Sequence, residues 1–237
     1  MNKLFLCLLA LFLSVTFAQA ERRVALVIGN SGYEHAPKLA NPLNDAQGMS
    51  EKLEQLGFDV TTGTDLTLNG MRQTIREFVG KLDNVDLALF FYAGHGLQVK
   101  GENYLVPIDA KLGSYLDLEF EAVPANLVLN AMEHNTKVNL VFLDACRDNP
   151  LAESLARSMG TRSGSVGRGL AKIGSGVGTL ISFATQPGNV ALDGSGKNSP
   201  FTTALLEHLG TPGQDITRDL IMVRRDVLAA TNGKQVP

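Results

Sequence analysis

Four apolar runs punctuate the chain, each closed by small or polar residues. Residues 23–28, 85–91, 138–143 and 179–184 are near-continuous in Val, Ile, Leu, Phe and Ala. Such runs read as parallel strands buried on both faces rather than alternating half-buried ones. Between them the spacing changes to a helical period. Met49, Leu53 and Leu56 share one face of a helix opened by Asn41-Pro42 and ended by Gly57. Met71, Ile75, Phe78, Val79 and Leu82 do the same over residues 67–82. Residues 58–61 and 103–108 read as short strands, and 123–134 as a helix. Ser199-Pro200 starts another helix through Leu209, with serine as N-cap and proline in the first turn. A last amphipathic helix covers 215–231, and a strand is expected beyond residues 233–237. This β-α-β-α-β order predicts an α/β fold with a mainly parallel central sheet flanked by helices.

Two segments depart from this pattern. Residues 151–178 are rich in Gly, Ser and Arg and are expected to form a mobile loop, because they offer little apolar surface to bury. Residues 1–20 read as a secretory leader. A short basic start, the apolar run Leu4 to Phe17 and Ala18-Gln19-Ala20 give the three parts of a cleavable signal. The run is shorter than the roughly 20 residues a membrane span needs, which favours cleavage over anchoring. The expected organisation is therefore a leader over 1–20 and one domain over 21–237, exported to the periplasm or the extracellular space. No membrane association is expected after cleavage.

Charge adds little. Removing Lys3 with the leader leaves 20 basic against 24 acidic residues, with no long run of one sign. Nothing in this balance suggests nucleic acid as a partner. Cysteine usage changes the picture more. The chain has two cysteines, Cys7 and Cys146, and Cys7 falls in the leader. The exported domain keeps one thiol that cannot form an internal disulfide. Such a cysteine in an oxidising compartment asks for a reason.

Its neighbourhood supplies one. Tyr92-Ala93-Gly94-His95-Gly96 follows the second apolar run, and Asp144-Ala145-Cys146-Arg147-Asp148-Asn149-Pro150 follows the third. Sites in open α/β sheets form at the carboxyl ends of the strands. Two adjacent strands would bring His95 and Cys146 together as proton acceptor and thiol nucleophile. The N–H groups of Gly96 and Cys146 are candidate donors to a developing oxyanion.

These residues resemble the caspase-like cysteine peptidases, in particular the bacterial metacaspase-like (orthocaspase) branch. The caspase signature is Q-A-C-[RQG]-G with its histidine about 50 residues upstream. Here Asp144-Ala145-Cys146-Arg147 stands 51 residues after His95. Residues 24–30, 44–46, 101–107 and 194–202 also look like this family, so the resemblance covers nearly all of residues 21–237. It implies an endopeptidase with a Cys146–His95 dyad acting on protein or peptide substrates. It also implies cleavage after Arg or Lys, with Asp45 and Asp144 as the substrate-binding carboxylates. Caspases proper have Gln at the position of Asp144 and cut after Asp. Asp45 could instead charge the first turn of its helix, and Asp144 could hydrogen-bond a loop.

Caspase-like enzymes often carry a cleavable stretch within the domain. Arg162, Arg168 and Lys172 are the candidate self-cleavage positions. No cofactor is expected. Some metacaspases need calcium, but Asp117, Glu119 and Glu121 read as a solvated face. Two other readings stand beside the peptidase: an interaction module of the same fold, weak or inactive as a catalyst, and a phosphate binder using Gly29-Asn30-Ser31-Gly32. The latter matches neither nucleotide-loop pattern.

Overall fold

The computed structural model describes residues 21–145, 150–158, 166–167 and 170–237. In chain order its elements are β1 (Arg23–Gly29), α1 (Pro42–Gln55), β2 (Asp59–Thr64), α2 (Leu68–Val79) and β3 (Leu87–Gly94). Then come β4 (Gly96–Val99), β5 (Glu102–Leu105), α3 (Asp117–Glu121), β6 (Val123–Pro124), α4 (Ala125–Asn135) and β7 (Val138–Ala145). The last are α5 (Pro150–Ser158), β8 (Val166–Gly167), β9 (Thr179–Phe183), α6 (Pro200–His208) and α7 (Ile216–Ala230).

The main sheet has the order β2-β1-β3-β7-β9, and all its pairings are parallel. The chain moves outward from β1 to β2 and then back across to β3. Right-handed crossovers therefore put α1 and α2 on opposite faces of the sheet. Helix α1 shares its face with α6 and α7, and α2 shares the other with α4. The apolar runs of β1, β3 and β7 are buried on both faces as their composition requires. At the end of β1, a Cβ on Gly29 would lie 2.3 Å from the Pro42 carbonyl oxygen. Only glycine lets the start of α1 approach the strand this closely.

A second, antiparallel sheet, β6-β5-β4-β8, extends from the carboxyl end of β3. It has its own core, including Tyr33, Leu97, Tyr104, Leu118 and Leu155.

Several elements differ from the sequence expectation. Residues 150–158 form α5, where a structureless loop was expected. Leu151, Ala152 and Leu155 share one helical face and are buried in the second core. The Gly- and Ser-rich composition of the whole stretch hides this short periodic patch. Residues 123–124 pair with β5 rather than starting a helix, and β2 runs on to Thr64. Strand β9 was expected to be buried. Among the described residues it is an outer strand of the sheet, and all five of its residues are half-buried. No helix among the described residues is long and apolar enough to cross a membrane. Residues 1–20, expected to be a leader, lie outside the described residues.

Candidate active site

Strands β3 and β7 run side by side in register from Leu87–Val138 to Gly94–Ala145. His95 and Cys146 are the next residues of the two strands. Cys146, and Arg147 and Asp148 after it, lie outside the described residues.

His95 itself is held from every side. Its backbone N–H donates to the Tyr33 hydroxyl at 2.7 Å, and the Tyr92 hydroxyl donates to its carbonyl oxygen at 2.8 Å. The Tyr33 ring packs against the imidazole with centroids 4.4 Å apart. Gly94 makes this clamp possible. Its φ of 155° is a conformation that side chains avoid, and a Cβ there would sit 2.6 Å from the Tyr33 hydroxyl oxygen. The imidazole Nε2 lies 2.9 Å from the Pro37 carbonyl oxygen. That carbonyl belongs to a loop pinned by Glu34 N–H to Ile108 O and Leu39 N–H to Ser31 O. His95 is 1% exposed.

The Gly96 N–H has a definite direction. Val106 N–H donates to His95 O, which makes His95 and Val106 a hydrogen-bonded pair of the β4–β5 hairpin. By antiparallel alternation Gly96 and Leu105 form the next, non-bonded pair, and the Gly96 N–H points away from β5. Strand β8 pairs with Gln98 and Val99.

The two carboxylates meet at one residue. Asp45, in the first turn of α1, accepts from the Ser199 N–H and from Asn198 Nδ2, both at 3.0 Å through Oδ1. Asp144, at the end of β7, accepts from the Ser199 hydroxyl and from Thr202 Oγ1, the latter at 3.0 Å. Ser199 also caps α6 by accepting from Thr202 N–H at 2.9 Å. The motif at 44–46 and the motif at 194–202 thus come together across 153 residues of chain. Both carboxylates are fully buried. These two hydrogen bonds tie Asp45 to α6 and its approach rather than to the N–H groups of its own helix.

Other expected residues fall elsewhere. Lys172 is exposed, and its neighbour Ala171 is bound at both N–H and C=O by the Asn103 side chain, at 2.7 and 2.8 Å. Arg162 and Arg168 lie outside the described residues. Glu121 accepts from the N–H groups of Lys111 and Leu112, and Asp117 from that of Ser114. The N–H groups of Ser31 and Gly32 both donate to Asp65 Oδ1, at 2.7 and 2.8 Å. The turn after β1 therefore already holds a carboxylate where a phosphate would sit.

Sequence reasoning missed Pro37, Tyr33 and Ser199 as parts of this site. Pro37 and Tyr33 lie in a loop without periodicity, and Pro37 contributes a carbonyl, which no side-chain pattern reveals. The N-cap pattern flagged Ser199, but only for its helix.

The fold and the site together define a caspase-type α/β domain. The family model for the caspase domain (Peptidase_C14) matches residues 22–237, and the chain belongs to this family of cysteine-type peptidases. The chain is similar to mucosa-associated lymphoid tissue lymphoma translocation protein 1 of Homo sapiens and to its homolog of Mus musculus. Each is 38% identical over 128 residues, which is 54% of this chain. The matched part spans only 15% of the length of those relatives. Among solved structures, caspase-1 from Spodoptera frugiperda superposes with a TM-score of 0.61 over 87% of this chain and 78% of that one. Its sequence identity is 19%, so this likeness speaks to the fold.

Proposed function

We propose that this chain is a cysteine endopeptidase of the metacaspase-like branch that cuts peptide bonds after Arg or Lys. Cys146 Sγ attacks the scissile carbonyl carbon as its proton passes to His95 Nδ1. The N–H groups of Gly96 and Cys146 take up the charge on the carbonyl oxygen. The imidazolium returns the proton to the leaving amine as the C–N bond breaks, and water then hydrolyses the thioester with the same histidine as base. The observation that carries this reading is the register of β3 and β7, in which Gly94 faces Ala145 and the next two residues are His95 and Cys146.

Specificity rests on Asp45 and Asp144. Two buried carboxylates joined by Ser199 form an anionic centre that suits a guanidinium or ammonium. Both are fully buried, so a basic side chain reaches them only as the covering chain gives way. Export as a leader-bearing precursor to the periplasm or extracellular space is part of the same proposal, as is self-cleavage at Arg162, Arg168 or Lys172.

The test is cleavage of fluorogenic peptides ending in Arg, Lys or Asp by the mature protein and its Cys146→Ala variant. Turnover of the Arg and Lys peptides, lost in the variant, is the expected result. No turnover, with or without calcium, would favour an interaction module, and turnover of the Asp peptide alone would overturn the specificity.

A further inference from the structure

The last turn of α6 and the body of α7 bring three metal-ligating side chains together. They are Glu207 and His208 of α6 and Asp226 of α7. One ligand atom from each, the His208 ring nitrogen and a carboxylate oxygen of the other two, lies within 4.8 Å of both the others. None of the three takes part in the site built on His95, Asp45 and Asp144.

The pair at the centre is already aligned. His208 Nε2 lies 2.5 Å from Asp226 Oδ2, so the two share one proton. The other oxygen of Asp226, Oδ1, accepts from Arg225 Nε at 2.7 Å. That bond fixes the carboxylate and leaves Oδ2 towards the histidine, as outer hydrogen bonds orient ligating carboxylates in metal sites. Arg225 opposes a cation here, but the two carboxylates outnumber it. The side chains of His208 and Asp226 are 13% and 28% exposed, which shelters the pair without sealing it. Glu207 is exposed, so its carboxylate can swing inward. Glu207 and Asp226 also line a cleft of about 560 Å³, which gives an ion an entry path and room for water ligands.

We propose that Glu207, His208 and Asp226 bind a first-row divalent cation of the Zn²⁺ type, which pins α6 to α7. The ion takes the place of the proton between His208 Nε2 and Asp226 Oδ2, and that proton leaves to solvent. Bonds of about 2.0–2.2 Å set tetrahedral ligands roughly 3.3 Å apart, so His208 and Asp226 part slightly while Glu207 closes in. Water completes the shell. An imidazole nitrogen in the set favours Zn²⁺ over Ca²⁺ and Mg²⁺, which take oxygen ligands.

The test is calorimetric titration with zinc chloride of tag-free Cys146→Ala protein, in which the thiol adds no site of its own. One equivalent of Zn²⁺ is expected to bind and to raise the thermal midpoint, and calcium chloride is expected to do neither. Loss of an outer-shell partner typically costs ten- to a hundredfold in metal affinity, so His208→Ala and Glu207→Gln, which each remove a ligand, should each weaken Zn²⁺ at least about tenfold. No binding overturns the proposal. Binding that neither substitution weakens also overturns it, since the ion then sits elsewhere. Calcium bound as tightly as zinc overturns the choice of cation. Should His208→Ala fail to fold, Glu207→Gln, at an exposed position, must weaken Zn²⁺ while keeping the metal-free thermal midpoint. Unweakened binding there overturns the site.

Discussion

His95 Nε2 lies 2.9 Å from the carbonyl oxygen of Pro37. A carbonyl only accepts, so Nε2 carries the proton and, in the neutral ring, Nδ1 bears the lone pair. The backbone thus fixes the tautomer that the proposed proton transfer from the thiol to Nδ1 requires. We predict that ¹⁵N-edited NMR of the neutral ring finds the Nε2–H tautomer. Finding Nδ1–H would remove the base from the mechanism. His95→Ala should lower kcat roughly a hundredfold or more without unfolding the protein.

Ser199 gives the second prediction. Its N–H binds Asp45 and its hydroxyl binds Asp144. Asp144→Asn keeps shape and most hydrogen bonds but removes the charge. Its kcat/KM for an Arg peptide should fall at least about thirtyfold, with Tm nearly unchanged. If the loss is equal for an uncharged norleucine peptide, Asp144 is a structural residue and not a specificity residue.

These relationships show what the sequence could and could not reveal. Strands β1, β3 and β7 announce themselves because each is buried on both faces, which leaves an unbroken apolar run. The position of His95 beside the end of β7 was legible because the two motifs each follow an apolar run of similar length. Pro37 was not, since its contribution is a backbone atom that any residue could supply. The meeting of Asp45, Asp144 and Ser199 depends on how α1, β7 and α6 converge, and no local pattern encodes that. The edge position of β9 was hidden for a similar reason: an apolar run reports that a strand is packed, not on how many sides it is paired.

Gly94 should be intolerant of any side chain. Gly94→Ala combines a disfavoured φ with a Cβ 2.6 Å from the Tyr33 hydroxyl oxygen. We expect a loss on the order of 3 kcal/mol or more in urea unfolding. Activity should fall further than the folded fraction does, because the Tyr33 and Tyr92 hydroxyls, both within 2.8 Å of such a Cβ, hold the backbone of His95. A variant with normal stability and normal kcat would show that the clamp has no part in positioning the histidine.

The chain around Lys172 yields a prediction about processing. Ala171 is bound at both backbone groups by Asn103, and a peptidase must draw such a segment into an extended form to cut it. Asn103→Ala should therefore speed cleavage after Lys172, read by mass spectrometry over time, in the active protein and not in Cys146→Ala. Unchanged cleavage would mean that the clamp does not protect this bond.

Acid stability tests the surface contact between α6 and α7. Asp226 accepts from Arg225 Nε at 2.7 Å and lies 2.5 Å from His208 Nε2. The hydrogen bond from Arg225 chiefly, and then that from His208, lower its pKa to about 2, from 3.8. Between these values the unfolded chain takes up a proton that the folded protein refuses, so lowering the pH favours unfolding. The stabilisation is present above pH 3.8 and is lost as the pH falls towards 2. The carboxylate is partly exposed, so the effect is modest. Asp226→Asn should be less stable than the parent at pH 7, and the gap in urea midpoint should narrow as the pH falls through this window. A gap that stays constant would show that the contact of Asp226 with Arg225 and His208 contributes nothing through its charge.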